Sequence, residues 1–94
     1  MQITEKQAMY IASIIEKGTH DYRFMQEIWD ATPKNNEKYP DERADYRRLI
    51  LADRLSPLTS YEASTIIDAY TKWQGEGKIK EARAYLSKCN LVKK

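Results

Sequence analysis

The side chains able to do covalent or acid–base chemistry are few. His20 is the only histidine and Cys89 the only cysteine among the 94 residues. A lone histidine can serve as a general base, but it needs a partner that orients it and a pocket that holds substrate. Asp21 is its sequence neighbour, and consecutive side chains on a helix do not face each other. Near a helix start, His20 reads as a surface or capping residue. Cys89 falls on an apolar stripe, where a thiol is a small buried hydrophobe rather than a nucleophile. A single cysteine excludes an internal disulfide and a multi-cysteine metal centre. The carboxylates show no repeated spacing that would cage a metal, and no glycine loop cradles phosphate. The sequence predicts a non-enzymatic protein with no metal and no cofactor.

Binding chemistry is better represented. Arg47 and Arg48 follow Tyr46 in "DYRRL", and Lys72 precedes Trp73 in "TKWQ". Cations neutralise phosphates while aromatic rings stack on bases. Charge is uneven along the chain: residues 1–54 hold nine Lys/Arg against ten Asp/Glu, and residues 55–94 hold seven against four. All seven of those cations lie from Lys72 onward. The candidate nucleic-acid contacts are Arg47, Arg48, Lys72, Lys78, Lys80, Arg83 and Lys88, with Lys93 and Lys94 extending the same charge. Tyr46 and Trp73 themselves fall on predicted core stripes. The stretch "WQGEGKIKEA", residues 73–82, resembles the Gly-x-Gly hairpin that grips DNA phosphate in helix-hairpin-helix modules. Glu76 stands where that hairpin packs an apolar residue, and Ala82 comes one place late. A helix stop with a tight turn is the expected reading.

These residues must be positioned by helices. Thr4 opens the first with a capping box, its hydroxyl and the Gln7 amide serving each other's backbone N–H, and Ile3 and Ala8 form a staple around it. Ala8, Ile11, Ile14 and Ile15 make one face, and Gly18 is the stop. A second helix is expected from Thr19 or Asp21 to Ala31, with Tyr22, Met25, Ile28 and Trp29 inward. Residues 31–40, "ATPKNNEKYP", are a loop. A third helix is expected from Asp41 to Arg54, with Tyr46, Leu49 and Ile50 inward, before Pro57 interrupts. Thr59 opens the fourth with Glu62 in a second box and Leu58 and Ala63 in a second staple. Its stripe is Ala63, Ile66, Ile67 and Tyr70, continued by Trp73, until "GEG" at 75–77. The fifth is expected over Lys78–Cys89, on Ile79, Ala82, Leu86 and Cys89. No segment alternates with period two. The fold class is all-α: one small domain, residues 1–94, of about five short helices.

"ITEKQAMYIASII", residues 3–15, and "LTSYEASTIIDAY", residues 58–70, align without a gap: Thr4 with Thr59, Gln7 with Glu62, Ala8 with Ala63, Ile11 with Ile66. The second stretch, through Leu58, Thr59, Glu62, Ala63, Ser64 and Ile67, is similar to the Leu-Thr-x-x-Glu-Ala-Ser-x-x-Ile element of short helical modules in phage and mobile-element proteins. The first, through Thr4, Gln7 and Ile11, matches the Thr-x-x-Gln-x-x-x-Ile helix of the same modules. Such modules accompany recombination or replication proteins, so the resemblance implies a DNA-related setting and carries over no catalytic residue.

No apolar run approaches the ~20 residues of a membrane span, and the N-terminus lacks the pattern of a signal peptide. A cytoplasmic setting without membrane contact is expected. Two functions fit the sequence. One is a phage-type accessory factor associated with DNA. The alternative is a stoichiometric protein-binding inhibitor of a host enzyme such as a defence nuclease, in the manner of an anti-CRISPR protein, or an adaptor; abundant Tyr suits such an interface.

Overall fold

Thr4 and Thr59 do open two helices in the same way. The Thr4 hydroxyl accepts the Gln7 N–H at 3.0 Å, and Gln7 Oε1 accepts the Thr4 N–H at 3.0 Å. Thr59 and Glu62 repeat the pair at 3.1 and 2.9 Å. In the computed structural model, which describes residues 1–92, the elements are α1 (Glu5–Lys17), α2 (Tyr22–Ala31), α3 (Tyr46–Arg54), α4 (Ser60–Thr71) and α5 (Glu76–Ser87). The fold is an all-α bundle, with no strand among the described residues. Helix α1 packs on α2, α3 and α4, and α5 packs on α4. No helix among the described residues is long and apolar enough to cross a membrane.

The repeat has an architectural meaning. Gln7 Nε2 donates to the Ser60 carbonyl and to Ser64 Oγ, both at 3.2 Å, at one end of the α1–α4 pair. At the other end Lys17 lines one groove with Tyr70 and Thr71. The two helices therefore run side by side in the same direction. Their lead-in segments are tied as well. Gln2 and Thr59 form an isolated antiparallel bridge, with Ile3 N–H donating to Leu58 O at 3.1 Å and Ser60 N–H to Met1 O at 2.8 Å. Equivalent positions are buried alike: Ala8 and Ala63, Ile11 and Ile66, Ile14 and Ala69, Ile15 and Tyr70. One local pattern is used twice to lay two helices together, start beside start.

Glu62 is held further by Lys88, whose Nζ is 2.7 Å from both carboxylate oxygens. That ammonium, and then the Thr59 N–H, keep the Glu62 carboxyl below the usual glutamate value. Each cap satisfies a backbone donor that a helix start leaves open, which is worth about 1 kcal/mol. Thr4→Ala and Thr59→Ala are each expected to cost about 1 kcal/mol in urea unfolding. A double variant with an unchanged midpoint would contradict that role.

Several boundaries differ from the sequence expectation, among them the end of α5 at Ser87 rather than Cys89. Helix α3 starts at Tyr46, not Asp41. Asp41 spends its carboxylate on Arg43, at 3.2 Å, rather than on a backbone cap, and Tyr46 N–H closes a turn onto Arg43 O at 3.0 Å. The preceding loop is ordered by Asn36, whose side chain accepts Tyr39 N–H at 2.9 Å, and by stacked Tyr39 and Tyr46 rings 5.0 Å apart. Helix α4 ends at Thr71, and "GEG" is the start of α5 instead of the end of α4. Gly75 is the N-cap at φ +97°, a conformation that favours glycine, and Glu76 sits in the first turn, where an acid complements the helix dipole.

The core stripes shift accordingly. Trp73, expected to continue the α4 stripe, lies beyond the helix and is 56% exposed. Tyr22 is also exposed, while Met25 and Ile28 fill the inner face of α2. In α3 Tyr46 and Leu49 are half-buried, and Leu51, with Leu55 just past the helix, takes the fully buried places beside Ile50.

Candidate functional site

The expected cations differ in their surroundings. Arg47 is committed to the backbone of α2: its Nη2 donates to Trp29 O at 2.6 Å and its Nε to Thr32 O at 3.1 Å. Its guanidinium also lies 4.6 Å from the centre of the Trp29 ring. A cation there complements the carboxyl end of the helix dipole. Arg48 pairs with Asp45, and its Nε is 3.8 Å from Glu16. Lys88 sits on Glu62 beside the second cap.

The others gather where α1, α4 and α5 end or begin. Lys72 is 3.6 Å from Asp68 and Lys78 is 3.9 Å from Glu81, both exposed pairs one helical turn apart. Pairs of this kind contribute a few tenths of a kcal/mol at most and open readily. Lys80 enters no ion pair among the described residues. Arg83 was expected to be a free surface cation, and it is not. Although its side chain is 48% exposed, it forms a bidentate pair with Asp21, whose side chain is 6% exposed. Tyr70 Oη donates to the same carboxylate at 3.0 Å. Burial, and then the Asp21 charge, push the Tyr70 phenol far above its ordinary value, so it remains a donor. Lys93 and Lys94 lie outside the described residues.

His20 and Trp73 complete this end of the molecule. Gly18 ends α1 at φ +69°, and His20 follows at φ +64°. That backbone turns the imidazole outward, against Trp73, with ring centroids 5.3 Å apart and planes tilted by 37°. His20 stands between two grooves and lines both, while Trp73 lines the second. On one side is a groove of about 440 Å³ between α1 and α4, with Tyr10, Ser13, Lys17, Thr19 and Thr71 in its lining and no carboxylate. On the other is a groove of about 190 Å³ lined by Glu76, Ile79, Lys80 and Arg83. The arrangement offers exposed rings, hydroxyls and ammonium groups. Its nearest buried carboxylate, Asp21, is already occupied.

Lys17 is not singled out by the sequence, which assigns His20 to the surface and Trp73 to the core. Lys17 was hidden as an ordinary last-turn cation. Trp73 was hidden because a stripe counted through Tyr70 reaches it only if the helix continues. The chain leaves α4 at Lys72, and Gly75 already caps the next helix, so Trp73 falls in the connection.

Cys89 is buried beside the last turn of α5, and burial pushes its thiol up to about 11. In the folded protein at pH 8 it is expected to react with a disulfide reagent far more slowly than in urea. Equal rates in the two conditions would contradict the buried placement. Among the described residues no group of His, Cys, Asp and Glu side chains is placed to hold a metal ion. Comparison of the chain with protein-family models, curated proteins and solved structures finds no match.

Proposed function

We propose that this chain is a small non-enzymatic accessory protein that associates with nucleic acid. The observation that carries the reading is the cluster at one end of the bundle, where Lys17 and Lys80 flank the exposed His20–Trp73 pair. Cations beside exposed rings are the chemistry of phosphate contact combined with base stacking. The resemblance of the two capped segments to phage and mobile-element modules supports the same setting. Lys72 and Lys78 add charge through pairs that open at little cost.

The alternative, a stoichiometric inhibitor of a host enzyme or an adaptor, has its own support. Arg48, Lys72, Lys78, Arg83 and Lys88 all have acidic partners within the chain, which lowers the field available to phosphate. Tyr10, Tyr22 and Tyr61 are exposed, and exposed tyrosines favour protein interfaces.

The test is fluorescence anisotropy with labelled DNA at several salt concentrations, comparing the wild type with Lys72→Gln/Lys78→Gln/Lys80→Gln. Arg83 is left intact because it holds Asp21. The wild type is expected to bind at low salt and to weaken steeply as salt rises. The variant is expected to bind less tightly, with the salt slope reduced by about two to three. No binding by the wild type at low salt would reject the nucleic-acid reading. A protein partner recovered from lysate after nuclease treatment would then favour the inhibitor or adaptor.

A further inference from the structure

The Trp73 ring is exposed at a cost that packing does not explain. The α4 stripe closes at Tyr70, which is buried, and Trp73 lies beyond the last turn. A large aromatic surface left in water gives up the burial that a small domain needs. His20 adopts a left-handed backbone that non-glycine residues visit infrequently, and it brings a second ring to the first. The α1–α4 groove beside His20 has the volume of a small-ligand site. Its polar lining consists of hydroxyls, one lysine and the histidine, with no acid to repel an anion.

Building on the nucleic-acid reading, we infer that the His20–Trp73 ridge is a stacking platform for an unpaired base. The α1–α4 groove, reached past His20, takes the adjoining phosphate through Lys17 and the hydroxyls of Ser13 and Thr19. The ligand class is single-stranded nucleic acid. A base inside a duplex has both faces covered by its neighbours, so its ring cannot lie on Trp73. Stacking tolerates every base, so the platform selects strandedness rather than sequence.

Tryptophan emission reads the site directly. Trp29, the other tryptophan, is half-buried under Arg47, so Trp73→Phe isolates the contribution of the ridge. Oligo(dT) is expected to quench the wild-type emission, and a duplex of equal length is expected to leave it nearly unchanged. Trp73→Ala is expected to weaken oligo(dT) binding about tenfold, with Trp73→Phe restoring most of the loss. Duplex binding and the melting temperature of Trp73→Ala are expected to stay as in the wild type. Lys17→Gln is expected to reduce the salt slope for oligo(dT) by about 0.7, the share of one phosphate contact on a single strand. Equal binding of oligo(dT) and duplex, unchanged by Trp73→Ala, would overturn the platform while leaving the accessory reading in place. Absence of all oligonucleotide binding would overturn both. A protein partner that Trp73→Ala releases, with no oligonucleotide bound, would assign the ridge to a protein interface and overturn the platform.

Discussion

Replacing Arg83 with methionine is expected to destabilise the domain by about 3 kcal/mol, a loss typical of a buried charge left unpaired. The methionine keeps an apolar stem over Phe24, whose ring centre lies 5.2 Å from the guanidinium. What disappears is the bidentate partner of Asp21, whose side chain is 6% exposed. Among the described residues Tyr70 then remains the one side-chain donor on that carboxylate. The reverse change is milder. Asp21→Asn leaves a side chain that still accepts from Tyr70, and a half-exposed guanidinium that water can solvate, so about 1–2 kcal/mol is expected. Urea unfolding of both variants and of Asp21→Asn/Arg83→Met tests the pairing. The double variant is expected to lose less than the sum of the single changes, because each removes the same contact. An Arg83→Met protein within about 0.5 kcal/mol of wild type, the range of ordinary surface changes, would show that the pair does not hold α5 in place.

Ile11→Ala and Ile66→Ala are expected to cost about 3–4 kcal/mol each, in the range measured for large-to-small changes at sealed sites. Both side chains are fully buried. They stand at the same step behind the two caps, on helices that run together, so similar losses are expected. A domain of this size has only modest total stability. Either change alone is therefore expected to leave a sizeable unfolded fraction at 37 °C, read as lost helical circular dichroism and a lowered melting temperature. Ile67, one position along and half-buried, provides the contrast, and Ile67→Ala is expected to cost less than half as much. Equal losses at Ile66 and Ile67 would be inconsistent with the inward face of α4.

The features legible in the sequence were local ones. A Thr followed three residues later by Gln or Glu specifies both halves of a capping box, and both boxes are present. Gly18 marks the end of α1 because its backbone must turn left-handed. The α3 start was obscured because Asp41 has the composition of a cap but is drawn to Arg43. Most of the candidate site was not legible. Asp21 and Arg83 are 62 residues apart in the chain, and nothing near either one announces the other. Seven cations looked alike in the sequence, yet they have quite different surroundings. Arg47 caps a helix, Arg83 neutralises a buried acid, and Lys80 faces water. The His20–Trp73 contact likewise depends on where two helices end, and terminal residues are the least certain part of a periodic pattern.

The tie between the first residues and residues 58–60 also bears on how the protein is made. Synthesis is vectorial, at about 5–20 residues per second. Helix α1 leaves the ribosome before α4 and can wind at once, since its own capping box is local. The flank that rests on α4 has no cover until the second half of the chain has been translated. Through that interval the nascent protein carries an open apolar strip beside an unpaired lead-in segment. A product stopped before residue 58 would keep both permanently, which makes truncated chains natural clients for chaperones and proteases.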